Sequence, residues 1–207
     1  MAYASADAFG HPDHDIKVVG ITGTKGKSTV SYMLRSVLDG EKPYSGTGVI
    51  GSIDTFDGVE NSESHNTTPE SPDLWRHLAN AREAGLPYMD MEVSSQGLKY
   101  DRVLGLALDV ACFLNIGRDH ISPVEHYFES KLRIFDICRS AVINMDCEHA
   151  DVIAERASRC PRVLRFSAEG REGADVWASD IQSGYGYVQF VAHTPSWEGS
   201  CVLSMPG

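Results

Sequence analysis

The sequence predicts an α/β domain, with a mainly parallel β-sheet flanked by helices and a small antiparallel β meander at the C-terminal end. Nearly continuous apolar runs of strand length recur along the chain, as is typical of strands that helices cover on both faces. Segments with helical apolar spacing alternate with these runs. From Asp175 the pattern changes to short alternating segments separated by turn residues, which predicts the meander.

The predicted elements begin after a lead-in. Residues 1–15 have neither apolar periodicity nor the pattern of a secretory signal, and we expect a loose lead-in to a domain at 16–207. A buried strand is predicted from Ile16 to Thr22, followed by a helix that ends at Asp39 and Gly40. The stretch from Ser45 to Asn66 is rich in Gly, Ser and Thr, and it is predicted to hold one or two short strands and a long loop.

The next helix has a sharply marked start and end. Ser71 is predicted as its N-cap and Pro72 as its first residue, and Gly85 is predicted to stop it after Ala84. The remaining elements are predicted as two strands, a helix, another strand and three meander strands, with the sequences PYMDMEV, LDVACFLNI, PVEHYFESKLRIFDIC, SAVINMD, VWASDI, GYVQFVAH and CVLSMPG.

The composition excludes several classes of protein. The 207 residues include 18 Lys and Arg against 29 Asp and Glu, so the net charge is −11 and the chain lacks the basic surface that sequence-independent nucleic-acid binding needs. Its apolar runs are shorter than the roughly 18 residues of a membrane span. Five widely spaced cysteines without a C-x-x-C pair argue against a disulfide framework or a structural zinc site, and they indicate a reducing compartment, the cytoplasm.

The strongest functional signal lies between the first strand and the first helix. Glycines, lysines and hydroxyl residues stand there as a phosphate-binding loop needs them: Gly23, Thr24, Lys25, Gly26, Lys27, Ser28 and Thr29. A glycine-rich turn exposes backbone N–H groups and the helix N-terminus adds partial positive charge, so together they hold phosphate oxygens. Lys27 would reach the β- and γ-phosphates, and the Ser28 hydroxyl would bind Mg²⁺. Ile21 occupies the position of the first glycine of the strict motif, so this is a shortened P-loop.

Other polar residues have two interpretations each. Glu92 ends a strand on the same side as Tyr88 and Asp90, where it either holds a metal ion or emerges into solvent. His120, in the run Arg118-Asp119-His120 after the next strand, is either a metal ligand or a surface histidine. The remaining candidates are either ligand contacts or ordinary turn and loop residues: Asn66, Thr67, Thr68, Ser94 and Arg102.

Lys131 interrupts an apolar stripe with helical spacing. The stripe consists of Val124, Tyr127, Phe128, Ile134, Phe135 and Cys138. A lysine in the middle of such a stripe extends its amine to solvent, finds a partner or changes its charge state. The pattern alone leaves both a snorkelling lysine and a functional lysine open.

Taken together, five segments resemble the Mur ligases, and most closely the MurE type, the UDP-N-acetylmuramoyl-dipeptide ligases. They occur in the family's order over about Val18 to Asp146, as GITGTKGKST, NTTPES, MEVSSQGLKYDRV, FLNIGRDHIS and EHYFESKLRIF. The end of the chain, through Pro206 and Gly207, resembles the strand that enters the family's Pro-Gly-x-x-Asn segment. NTTP and EVSS favour MurE over its siblings, whereas Gln96 and Gly117 depart from the family pattern and leave the acceptor amino acid open.

The resemblance implies an ATP-dependent, amide-forming ligase of peptidoglycan precursor synthesis. In this reaction ATP phosphorylates the carboxylate of a UDP-N-acetylmuramoyl dipeptide, and the amine of an amino acid then attacks the acyl phosphate. The resemblance implies that Lys27 holds phosphates, that Ser28 and Glu92 serve a first Mg²⁺, and that His120 binds a second. Lys131 matches a lysine that is carbamylated in the family, which would give Mg²⁺ an anionic oxygen ligand. Contacts to the UDP-muramoyl substrate are implied for Asn66, Thr67, Thr68, Ser94 and Arg102.

The resemblance also implies parts beyond this domain. The family has an N-terminal domain that grips the uridine and a C-terminal domain that binds the amino acid, and 207 residues leave room for neither. We therefore expect a central ATPase domain of a longer protein that does not ligate by itself. The alternatives are a folylpolyglutamate synthase or cyanophycin synthetase of the same superfamily, a P-loop nucleotide-binding module without ligase chemistry, and a non-catalytic structural fragment.

Overall fold

A computed structural model describes residues 1–40, 46–117 and 124–204, and in this part of the chain no helix is both long and apolar enough to cross a membrane. The helices are α1 (Ala2–Phe9), α2 (Lys27–Asp39), α3 (Ser71–Glu83), α4 (Ser95–Lys99), α5 (Val124–Leu132) and α6 (Ala150–Ala157), with short 3-10 helices at Pro12–His14 and Arg133–Ile137. The strands are β1 (Lys17–Thr22), β2 (Thr47–Ile50), β3 (Asp54–Phe56), β4 (Asn61–Glu63), β5 (Tyr88–Glu92), β6 (Leu108–Phe113), β7 (Cys138–Asn144), β8 (Arg162–Ser167), β9 (Val176–Gly184), β10 (Tyr187–His193) and β11 (Glu198–Leu203).

The strands form one sheet in the order β11-β10-β9-β8-β7-β6-β1-β5-β2-β3-β4. Strands β2, β5, β1, β6, β7 and β8 pair in parallel, and β9 joins β8 in parallel through a short ladder. Antiparallel pairs lie at both edges, as β9-β10-β11 on one side and β2-β3-β4 on the other. The predicted α/β class, the mainly parallel sheet and the C-terminal meander are confirmed.

Strand β1 lies between β5 and β6 in the parallel centre of the sheet. Beyond the strand ends, the Val93 N–H donates to the Ile21 carbonyl at 2.8 Å and the Leu114 N–H donates to the Thr22 carbonyl at 2.9 Å. The carboxyl ends of β1, β5 and β6 therefore stop at one edge of the sheet, where the loops that follow them meet.

Strand β5 presents chemically different faces, as its alternation predicts. Met89 and Met91 are fully buried in the apolar core, which they share with Trp75 of α3. Asp90 and Glu92 point to the opposite face, toward α2. One face of this strand therefore stabilises the fold, and the other delivers carboxylates to the edge where the loops meet.

The loose lead-in predicted for residues 1–15 is wrong. Residues Ala2–Phe9 form α1, which packs on α3 with Ala6 fully buried, and Gly10 ends the helix in a left-handed conformation at φ 70°. The sequence pattern does not reveal this helix because alanines, rather than large apolar residues, form its buried side.

The predicted cap of the next helix is also corrected. The N-cap of α3 is Glu70, and Ser71 is the first helical residue. The Ser71 hydroxyl donates to the carbonyl of Arg102 at 2.8 Å, so it joins α3 to the loop after α4 instead of capping its own helix. Pro72 stays in the first turn, where its missing N–H costs nothing.

Replacing Ala6 with glutamate should test whether α1 is an integral part of the domain. A carboxylate at this fully buried position has no room beside α3, so Ala6→Glu should lower the free energy of unfolding by about 1–3 kcal/mol. Urea unfolding measures the change, with Ala4→Glu at an exposed position of α1 as the matched control. Equal stabilities of the two variants would show that α1 does not contribute to the fold.

Candidate active site

A glycine-rich loop connects β1 to α2 at the carboxyl edge of the sheet. Gly26 is the N-cap of α2 and adopts a left-handed conformation at φ 82°, which a glycine accepts without strain. The first N–H groups of α2 have no partner within the helix and carry its partial positive charge, so this end of α2 suits an anion. The Lys27 amine folds back over the loop and donates to the Gly23 carbonyl at 3.2 Å. Lys25, in the loop, and Thr29, in the first turn of α2, are both exposed.

Asn115 holds this loop from the neighbouring strand end. Its side-chain oxygen accepts the N–H groups of Thr24 and Lys25, both at 3.0 Å, and its amide nitrogen donates to the Lys25 carbonyl at 3.0 Å. Three hydrogen bonds from one side chain therefore fix the backbone of the phosphate-binding turn. Asn115 is not among the residues predicted from the sequence, and the available signal was a polar side chain near the carboxyl end of the mostly apolar run LDVACFLNI.

Glu92 is buried at 2% exposure instead of emerging into solvent. One of its oxygens, Oε1, accepts the Ser28 hydroxyl at 2.8 Å, the Ser52 hydroxyl at 3.0 Å and the Ser52 N–H at 3.0 Å. The Ser28 and Ser52 hydroxyl oxygens are 3.1 Å apart. A compact group of oxygen donors thus forms beside the P-loop, and Ser52 belongs to it although the sequence analysis did not select it.

Lys131 does not snorkel, because only 1% of the residue is exposed. Its amine donates to the Gly23 carbonyl at 2.8 Å, lies 3.4 Å from the Thr22 hydroxyl and stands 4.6 Å from the centre of the Tyr127 ring. The Gly23 carbonyl at the start of the loop therefore accepts both lysine amines, that of Lys131 and that of Lys27. The snorkelling interpretation is therefore excluded, and the functional role of Lys131 stays a prediction.

The segments around Thr68 and Ser94 are bound to each other. Thr68 is fully buried, and its hydroxyl accepts the Ser94 N–H at 2.9 Å and lies 3.0 Å from the Glu92 carbonyl oxygen. Ser94 caps α4 through the Gly97 N–H at 3.0 Å. These two hydroxyl groups therefore stabilise the polypeptide immediately beyond Glu92.

Arg102 completes this region from the loop after α4. Its guanidinium donates to the Thr68 carbonyl at 2.9 Å and pairs with Glu70 at 2.7 Å. Thr67 is half-buried and Asn66 is exposed next to it, so these two side chains are the more accessible members of the group. His120, with Arg118 and Asp119, lies outside the described residues.

Asp90 is a fully buried carboxyl on the same face as Glu92. Burial is the main reason why its pKa rises from 3.8 to about 6, and the charge of Glu92 also raises it, whereas the Ser31 hydroxyl and the Arg35 guanidinium lower it. Burial likewise raises the pKa of the neighbouring Cys112 thiol to about 12, so that this thiol stays neutral.

A phosphate-binding turn at the carboxyl edge of a parallel sheet, with lysine amines and a serine–carboxylate pair around it, defines an α/β nucleotide-binding domain of the P-loop class. The chain belongs to the Mur ligase family, since the model of the Mur ligase middle domain matches residues 21–207.

Individual relatives agree with this assignment. The chain is similar to a UDP-N-acetylmuramyl-tripeptide synthetase of Bifidobacterium longum, with 43% identity over 76% of this chain and 31% of the relative. It is also similar to a UDP-N-acetylmuramoyl-L-alanyl-D-glutamate–L-lysine ligase of Streptococcus suis, with 37% identity over 76% of this chain and 34% of the relative. The matched region therefore spans about a third of the length of these two proteins.

A solved structure shows the same fold. The structure of a UDP-N-acetylmuramoyl-L-alanyl-D-glutamate–2,6-diaminopimelate ligase superposes with a TM-score of 0.77 and 26% identity. The superposition covers 89% of this chain and 38% of that one. This domain thus corresponds to one portion of a larger solved ligase.

The raised pKa of Asp90 predicts a pH-dependent stability. Because the unfolded carboxyl ionises near 3.8 and the folded one near 6, its contribution to stability falls as the pH rises between these values and stays low above them. At pH 7, Asp90→Asn should therefore raise the free energy of unfolding, by at most about 3 kcal/mol. Below pH 4 the two proteins should be equally stable. The measurement is urea unfolding at a series of pH values, with Glu172→Gln at an exposed position as the control.

A difference between wild type and Asp90→Asn that stays constant from pH 4 to pH 7 would contradict this assignment. A difference that grows as the pH falls would mean that the folded carboxyl titrates below its ordinary value.

Proposed function

We propose that this chain binds ATP and Mg²⁺ as the central domain of a cytoplasmic ligase that adds an amino acid to a UDP-N-acetylmuramoyl peptide. The observation that carries the proposal is the contact of 2.8 Å between Ser28 and Glu92 beside the P-loop lysine Lys27, in a chain of the Mur ligase family. Both relatives described above are named for UDP-N-acetylmuramoyl peptides. The proposed reaction therefore belongs to peptidoglycan synthesis, and through it to cell-wall growth, cell shape and division.

The phosphates of ATP would lie against the N-terminus of α2. The backbone N–H groups of the loop and the Lys27 amine would stabilise the charge on the β- and γ-phosphates. Asn115 would contribute by holding the loop backbone through the N–H groups of Thr24 and Lys25, so that the N–H groups at the start of α2 are left for the phosphates. The site thus performs its first task, positioning and charge neutralisation, mainly with backbone groups that are already fixed.

The donor set beside the loop fits Mg²⁺. Ser28, Ser52 and Glu92 offer only oxygen atoms, which are the ligands this small, hard cation prefers. Ser28 would hold the ion through its hydroxyl, and Glu92 would hold it directly or through a water molecule. Bound there, Mg²⁺ would neutralise charge on the phosphate oxygens.

The proposed reaction has two steps. In the first, a carboxylate oxygen of the muramoyl peptide attacks the γ-phosphorus, the bond from that phosphorus to the β–γ bridging oxygen breaks, and ADP leaves. In the second, the amine nitrogen of the incoming amino acid attacks the acyl carbon, phosphate leaves and the nitrogen loses a proton. Holding the reactants in line supplies much of the rate in both steps.

We propose that Lys131 acts as a carbamate. The uncharged amine would attack carbon dioxide, forming an N–C bond and releasing one proton, so that a cation becomes an anionic oxygen donor. The carbamate nitrogen keeps one N–H, so the contact with the Gly23 carbonyl can persist after modification. Burial of the residue at 1% exposure supports this role, since an unmodified ammonium group is costly there.

The muramoyl substrate would bind along the loops after β4 and β5. Thr67 and Asn66 are accessible for direct contacts. The Arg102 guanidinium pairs with Glu70, and it would exchange this partner for a phosphate or carboxylate group of the substrate. Thr68 and Ser94 would shape this surface, because their hydroxyl groups already bond to the chain itself. The relatives differ in the acceptor they are named for, and the acceptor of this protein stays open.

Replacing Lys27 tests the nucleotide site. Lys27→Ala removes a charged donor to phosphate oxygens, a loss of about 1.5–3 kcal/mol, so the affinity for ATP with Mg²⁺ should fall about 10- to 100-fold. Isothermal titration calorimetry on this chain measures the affinity. Lys99→Ala, at an exposed position of α4, is the matched control and should bind as the wild type does.

The same pair of variants tests the ligase reaction in the full protein. With ATP, a UDP-N-acetylmuramoyl dipeptide and either L-lysine or diaminopimelate, wild type and Lys99→Ala should form ADP and the tripeptide product. Lys27→Ala should form neither. If the wild-type protein bound ATP but formed no amide product, the proposed ligase activity would be refuted. The alternative of a nucleotide-binding module without ligase chemistry would then remain.

Carbamylation of Lys131 is directly observable. In ¹³C-bicarbonate, the ¹³C NMR spectrum of the wild-type protein should show one slowly exchanging carbamate signal, which disappears in Lys131→Ala and persists in Lys99→Ala. Lys131→Ala should also lose ligase activity in the full protein. A wild-type spectrum without a carbamate signal, or full activity of Lys131→Ala, would be incompatible with the proposed role.

A further inference from the structure

The turn between α1 and β1 gathers side chains that can bind a metal ion, at the opposite end of β1 from the P-loop. His11, Asp13 and His14 each offer one ligand atom, and these three atoms lie within 4.8 Å of one another. His11 caps the 3-10 helix at Pro12–His14 in a left-handed conformation, with φ 50° and ψ 59°. This tight turn brings the side chains of His11, Asp13 and His14 to the same side of the chain.

Asp13 supplies the observation that points to a cation. Only 3% of the residue is exposed, and one carboxylate oxygen, Oδ2, accepts the Ala107 N–H at 2.9 Å. The other oxygen, Oδ1, is buried and has no hydrogen-bond partner among the described residues. A buried carboxylate oxygen without a donor is costly, and this one lies 4.0 Å from Nδ1 of His11.

His11 is held as metal-binding histidines usually are. Its Nε2 lies 3.0 Å from a carboxylate oxygen of Asp7, which favours a proton on Nε2 and a lone pair on Nδ1, the nitrogen nearer to Asp13. Carboxylates that accept the second N–H of a ligand histidine fix the ring and raise its basicity. The exposed ring of His14 lies parallel to that of His11, at 5.3 Å between centres and 12° between planes.

We propose that His11, Asp13 and His14 bind a divalent transition-metal ion with the chemistry of Zn²⁺. Two imidazole nitrogens and one carboxylate oxygen match the ligand preferences of Zn²⁺ and Co²⁺, and the exposed side leaves a coordination position for water. Mg²⁺ is not expected here, because it prefers an all-oxygen set such as the one beside the P-loop. The ion would supply the positive partner that Asp13 Oδ1 lacks among the described residues.

A second histidine–carboxylate cluster in the described chain shows the contrast. Asp57 accepts His77 at 2.7 Å and Asn80 at 2.9 Å through one oxygen, and it accepts two backbone N–H groups through the other. Its third member, Glu60, pairs with Arg76. Both carboxylates of that cluster already have hydrogen-bond or ion-pair donors, so neither needs a metal ion as a partner, in contrast to Asp13.

A metal at the first cluster would fasten the start of the domain. Asp13 is bonded to the backbone just before β6, and the His11 ring packs edge-on against Trp75 of α3 at 5.8 Å between centres. Linking His11, Asp13 and His14 through one ion would fix the α1–β1 turn against both elements. Because binding would be specific to the folded chain, it would raise the melting temperature.

The test measures Zn²⁺ and Co²⁺ binding to the full chain by calorimetry, Co²⁺ absorption and thermal unfolding. Asp13→Asn keeps an oxygen for the Ala107 N–H but places an amide where the unpartnered oxygen was. His14→Gln changes an exposed side chain and leaves the fold intact. His65→Gln, an exposed histidine outside the cluster, is the matched control.

We expect the wild type and His65→Gln to bind one Zn²⁺ per chain and to melt at a higher temperature with Zn²⁺. Asp13→Asn and His14→Gln should each bind at least about tenfold more weakly and lose the thermal shift. The Co²⁺ spectrum of the wild type should lack a sulfur-to-metal charge-transfer band. Absence of saturable binding, unchanged affinity in His14→Gln, or a sulfur band that assigns the ion to cysteines would overturn the proposal.

Discussion

The parallel pairing of β1 with β5 and β6 is the constraint on which the rest of the structure depends. It aligns three strand ends at one edge of the sheet, where the next backbone N–H of β5 and of β6 extends the ladder to β1. Each strand then delivers a different part of the site: the phosphate-binding turn, the Glu92 carboxylate and the Asn115 amide. A shift of the register by one residue would turn Glu92 away from Ser28, because side chains alternate along a strand.

The proposed binding of polyanions requires a local source of positive charge in this acidic domain. A net charge of −11 gives no general attraction for a nucleotide. The favourable field would therefore have to be local, and the proposed site offers it through the N–H groups at the N-terminus of α2 and the Lys27 amine. The negative charge of Glu92 weakens this field less than a free carboxylate would, because Oε1 accepts three hydrogen bonds from neighbouring donors.

The sequence predicted those features that local patterns encode. The alternation in β5 placed Glu92 at the edge of the sheet, and the helical stripe singled out Lys131. Asn115 and Ser52 were missed because their roles depend on partners that are distant in the chain, and α1 was missed because its buried residues are small. Thr68 and Ser94 were predicted as site residues, and only the structure shows what their hydroxyl groups contact: that of Thr68 bonds to the segment of Glu92 and Ser94, and that of Ser94 accepts the Gly97 N–H.

The contacts that shape the phosphate-binding loop have a consequence for how the protein acquires its function. Asn115 is 91 residues away from Thr24, and Lys131 is 108 residues away from Gly23. The loop therefore receives its final shape only after β6 has paired with β1 and α5 has brought Lys131 to the loop. During synthesis from the N-terminus, the complete P-loop motif leaves the ribosome long before these partners, so the nascent chain carries the motif without the working site. Tight nucleotide binding would thus become possible only once β5 and β6 have paired with β1 on both of its sides.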